Sequence, residues 1–159
     1  MIEKLEAYMK ENGWNTKWNE KQGKCLPEAI TNRYGNISDE WMEFIHNISC
    51  MISPDETTWF LCAEDFAREG EAAFRWNEWE CISLESADGD TEWQNEIKDF
   101  WNYHLPIVMS VKDGYSYYAI AIKDGAVVYG TEPEFEECEI VAGSFVDFIE
   151  KIVKGELRL

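Results

Sequence analysis

The chain has 159 residues, of which 14 are Lys or Arg and 32 are Asp or Glu, for a formal charge of −18. That length suits one domain, and 45% apolar residues supply a core, which excludes a disordered acidic tail. So much negative charge turns away nucleic acid and anionic lipid and attracts basic proteins.

Residues 2–10 read as a first helix ending near Asn12-Gly13, and the polar, Gly-punctuated stretch 13–25 as an irregular connection. Pro27 suits the first turn of a short helix to Tyr34, stopped by Gly35. Ser38 is a good N-cap, followed by Asp39 and Glu40 at the positive end of the helix dipole. Trp41, Phe44, Ile45 and Ile48 then recur at the spacing of one buried helical face. Residues 57–63 read as a short strand. Asn77-x-x-Glu80 has the form of a capping box and predicts a helix over 78–86, broken by Asp88-Gly89-Asp90. Thr91-x-x-Gln94 opens another helix, with Trp93, Ile97, Phe100 and Trp101 on one side, ending before Pro106. Asp113-Gly114 and Asp124-Gly125 predict type I′ turns between strands 106–112, 115–123 and 126–130, with 137–142 as a fourth. Ser144 caps a last helix facing Phe145, Phe148, Ile149 and Ile152 inward, ended by Gly155. The predicted fold is α+β: an antiparallel β-meander sheet packed with N-terminal and C-terminal α-helices.

Phe100-Trp101-Asn102-Tyr103-His104-Leu105-Pro106-Ile107 leads into Ser110-Val111-Lys112-Asp113-Gly114-Tyr115. Gly130-Thr131-Glu132-Pro133-Glu134-Phe135-Glu136-Glu137 and Ala142-Gly143-Ser144-Phe145 follow, ahead of the final amphipathic helix. This order resembles the SUKH superfamily, which includes the fungal Smi/Knr regulators of cell-wall synthesis and many bacterial immunity proteins. The similarity is most specific over 74–155 and looser over 26–66, at Trp59-Phe60-Leu61 and Glu64-Asp65-Phe66. The resemblance implies a SUKH-like core over 26–155 within a single domain 1–159, with 1–24 a helix and connection outside the pattern. It also implies neutralisation of a delivered toxin, often a nuclease, or in the fungal manner regulation of endogenous partners. It carries over no catalytic residue.

The charge is uneven. Residues 1–24 are nearly neutral, 64–100 carry twelve acids against three bases, and 132–150 carry seven acids and no base. A negative surface can mimic nucleic acid towards a basic nuclease. The candidate partner-binding residues are therefore Trp76, Glu78, Trp79, Asp88 and Asp90 in the first acidic region, and Glu132, Glu134, Glu136, Glu137 and Glu139 in the second. Trp and Tyr are over-represented among interface anchors, which favours Trp76 and Trp79; Trp41, Trp93 and Trp101 belong to predicted core faces. Trp14 and Trp18 suit either a core edge or a contact. Alternation places Glu137 and Glu139 on one face of a strand, and Cys138 and Ile140 on the other. With 32 acids some carboxylate pair always looks catalytic, so their abundance says nothing for a hydrolase. Asp88-Gly89-Asp90 with Glu92 lacks the EF-hand order, and two histidines make a His-rich metal site improbable, so no metal or cofactor is expected. Five cysteines without CxxC spacing, no basic-then-apolar leader in Met1–Glu6 and no apolar run of about 18 residues lead to free thiols and a cytoplasmic location as expectations.

Overall fold

A computed structural model of the chain describes residues 1–19, 25–67 and 73–159. The short β-rich runs and tight turns of the second half build one antiparallel sheet, and three strands of the first half extend it. Among the described residues its seven strands, β1 (Asn15–Trp18), β2 (Ile48–Ile52), β3 (Thr58–Phe60), β4 (His104–Ser110), β5 (Ser116–Ala121), β6 (Val127–Thr131) and β7 (Cys138–Ala142), lie side by side in chain order. Among the described residues the helices are α1 (Ile2–Glu11), α2 (Glu28–Tyr34), α3 (Asp39–Asn47), α4 (Ala63–Ala67), α5 (Glu78–Ser86), α6 (Thr91–Asn102) and α7 (Phe145–Val153). The fold is α+β, as the sequence predicts, and the meander is longer than predicted. None of these helices is long and apolar enough to cross a membrane.

Residues opposed on neighbouring strands share a face. Phe60, Val108 and Tyr118 are in register and look towards α3 and α7. There Phe44 touches Phe60 and Phe145, and Tyr118 touches Phe148. Trp59, Met109 and Tyr117, one residue out of phase, look the other way, towards α5 and α6, where Tyr117 meets Trp101. The sheet is thus packed on both faces, with the core divided between them.

Several local expectations are corrected. Part of 13–25 is a strand, β1, because Asn15–Lys17 pair with Cys50–Ile52; residues 20–24 of that stretch lie outside the described residues, as do 68–72 of the acidic region 64–100. Trp14 and Trp18 cover the core edge, against Phe60 and Phe44. Ile48 is buried as the first residue of β2 and not as a helical residue, and α4 forms where no element was predicted. The capping box does not form: Asn77, at φ −109° and ψ 28°, lacks the extended backbone of an N-cap and makes no side-chain cap bond, and Glu80 turns instead to Arg33. Asp90, one residue earlier than expected, caps α6 by accepting from Trp93 N (3.0 Å). Pro106 lies inside β4, at a register shift where a missing donor is tolerated. In the two Asp-Gly turns only the glycines take positive φ (98° and 78°), so neither is type I′, which needs two such residues.

Candidate protein-binding surface

The segment after β6 carries the acidic run, and contacts at Glu132, Phe135 and Glu136 hold it against α5, α6 and the start of β5. Phe135 is buried with its ring stacked on Trp79 (5.5 Å between centroids, 8° between planes), and its carbonyl accepts from Tyr117 Oη (2.5 Å). Glu136 Oε1 accepts from Trp101 Nε1 (2.8 Å). Glu132 Oε1 accepts from Tyr115 N (3.0 Å). Glu134, between these anchor points, and Glu137, just after the last of them, stay exposed, so the chain is held while two carboxylates face water.

Two hollows flank this segment. One, of about 510 Å³, is lined by Trp93, Ile82, Pro133, Phe135 and the glutamates 134, 136 and 137. The other, of about 750 Å³, lies over the sheet beside β7 and is lined chiefly by Tyr103, His104, Ala121, Val128, Cys138 and Ile140. Trp93 (44% exposed), Tyr103 (61%) and Ile140 (69%) are, with Met1, the large apolar side chains left exposed among the described residues. Three of those four therefore border the acidic segment.

The ten candidate residues separate accordingly. Glu134, Glu136 and Glu137 line the Trp93 hollow, and Asp90 stands beside it as the cap of α6. Asp88 is exposed on the same turn, and Glu139 is exposed on β7 next to Ile140. Glu132 is exposed but engaged by Tyr115 N. Three belong elsewhere. Trp79 is 1% exposed, stacked between Tyr115 (4.6 Å) and Phe135, with Nε1 donating to Ser116 O (3.1 Å); a ring so enclosed is core and cannot anchor a partner. Trp76 is half-buried against Tyr34, Phe66 and the Arg33 guanidinium, and Glu78 is occupied by Arg75 (3.0 Å). Trp93 reverses its expected burial: it shares the apolar side of Ile97 and Trp101, but its turn of helix lies over the hollow. Tyr103 and Ile140 escaped the sequence reading. The signal that could have exposed Ile140 was its place on the last strand of a meander, where one side has no neighbouring strand.

His104 closes one side of the larger hollow. Its ring stacks on Phe100 (3.9 Å, 12°), and Nδ1–H donates to the Phe100 carbonyl (2.7 Å). Burial lowers its pKa below the usual 6.5, outweighing the opposing pulls of that carbonyl and Asp124. The unfolded chain therefore takes up the proton first, so this contribution to stability is complete above pH 6.5 and is lost as pH falls through and below that value. His104→Gln is expected to flatten the fall in urea-unfolding stability below pH 6.5; an unchanged slope would show that His104 is solvated.

No protein-family model matches the chain, and no curated protein matches it.

Proposed function

We propose that this protein is a non-enzymatic immunity protein of the SUKH type. It binds a basic toxin domain, a nuclease by the sign of the charge, and blocks its active site or substrate entry. One observation carries the reading: exposed Trp93, Tyr103 and Ile140 border an acidic segment that contains no base and is held at Glu132, Phe135 and Glu136. Apolar and aromatic anchors surrounded by charge are the composition of a specific interface. The surrounding field steers a basic partner, which can raise association to on the order of 10⁸–10⁹ M⁻¹s⁻¹ at low salt.

The test is co-expression with the toxin domain encoded beside it, scored by survival and co-purification. Reversal of two exposed charges, Glu134→Lys with Glu137→Lys, is expected to slow association about tenfold and flatten its salt dependence, with little change in dissociation. An association rate and salt dependence unaltered by both reversals would remove this surface from the contact. An isolated gene with no toxin neighbour would favour regulation of an endogenous partner.

A further inference from the structure

Pro106, Ala119, Val128 and Ile140 form one row across four strands, on the side of the sheet that α6 occupies. The helix covers the row only in part. Trp101 of α6 packs on Tyr117, while Val128 and Ile140 open into the larger hollow, whose rim is Tyr103. Its two charged lining groups, Lys123 and Asp124, are of opposite sign, so the interior has no strong charge preference. The charge lies alongside it: Cys138 lines this hollow and Glu137, its neighbour in sequence, lines the Trp93 hollow. Residues 134–140 thus carry four glutamates and no base along the boundary of an apolar depression.

Those features select among occupants. A second copy of the chain would bring −18 against −18 and set Glu137 and Glu139 among like charges, which repels. Small ligands need sites that bury about 70–90% of their surface, and a rim formed by side chains that are themselves mostly exposed does not enclose one. A single apolar side chain projecting from a basic surface satisfies both constraints.

Building on the proposed binding of a basic protein, we infer that this hollow receives one large apolar side chain of that partner (Leu, Ile, Met or Phe), flanked by Lys or Arg. The acidic segment governs approach, and this contact governs how long the complex lasts.

Three synthetic peptides test it against the full chain: Lys-Lys-Leu-Lys-Lys, Lys-Lys-Ser-Lys-Lys and Glu-Glu-Leu-Glu-Glu, titrated by NMR with methyl and amide detection. The Leu-containing cationic peptide is expected to bind about tenfold more tightly than its Ser counterpart, since one buried aliphatic side chain accounts for that much. It should shift the methyl signals of Ile140, Val128 and Ala121, and the anionic peptide should not bind. In Ile140→Ser, and separately in Tyr103→Ala, the advantage of Leu over Ser should vanish while the affinity of the Ser peptide stays the same. Both positions are exposed, and an unchanged amide spectrum away from the hollow verifies that each variant folds. Equal affinities for the two cationic peptides would overturn the role of the hollow and leave the acidic surface standing. Failure of both cationic peptides to bind, or equal binding of the anionic one, would overturn the basic-partner reading itself and the inference with it.

Discussion

Glu80→Ala should lower the stability of the fold by about 3–5 kcal/mol, measured by urea unfolding at neutral pH. The Glu80 carboxylate is buried in α5 and grips Arg33 of α2 with both oxygens, at 2.7 and 3.0 Å. Arg33 Nε also donates to Asn102 Oδ1 (3.0 Å) at the end of α6, and the guanidinium lies 5.3 Å from the Tyr34 ring centroid and 5.6 Å from that of Trp76. Removing the acid strands a cation among rings, and the desolvation of that charge dominates the loss. Replacing both partners by apolar residues, Arg33→Met with Glu80→Leu, should recover most of it, because neither charge then needs compensation. A loss under about 1 kcal/mol for Glu80→Ala alone would mean that the pair is screened like a surface contact. The same pair fixes the helix end from which Tyr103 projects, so its loss should also disturb the larger hollow.

That ion pair illustrates where the sequence stops being informative. Asn77-x-x-Glu80 has the spacing of a local cap, yet the carboxylate turns to an arginine 47 positions earlier in the chain, a contact no local pattern encodes. Features that depend on near neighbours were legible. Ser38 and Ser144 accept from Trp41 N and Asp147 N, and the apolar faces of α3 and α7 are those their spacing predicts. β1 and β2 were not, since each is polar or short by itself and is made a strand by pairing across some thirty residues. Ile48 shows the ambiguity in one residue: four positions after Phe44 it continues the helical period, and it is equally the start of a buried strand. At the surface, the acidic run was evident from composition alone. The hollow was not, because Ile140 in sequence is indistinguishable from a core isoleucine, and only its edge position leaves it exposed.

Gly130→Ala is expected to destabilise the protein by about 3 kcal/mol and to loosen the acidic segment at the same time. Gly130 pairs with Tyr117 across β5 and β6, and a Cβ there would lie 2.5 Å from the Tyr117 ring and hydroxyl. The ring has little freedom to move away. It packs on Trp101 (4.9 Å), and its hydroxyl donates to the Phe135 carbonyl, one of the contacts that hold residues 132–137. Moving Tyr117 therefore shifts Phe135 on its stack with Trp79 and releases Glu134 and Glu137 from their fixed positions. Two readouts follow. In urea unfolding, the effect of Gly130→Ala should shrink to below about 1 kcal/mol when measured in a Tyr117→Leu background, where the obstructing ring is gone. In binding, Gly130→Ala should weaken the proposed complex even at temperatures where the fold remains intact, because the carboxylates no longer stand in register. An equal loss of stability in both backgrounds would show that the glycine is required for some reason other than the Tyr117 ring, and the link between this strand pair and the acidic surface would fall with it.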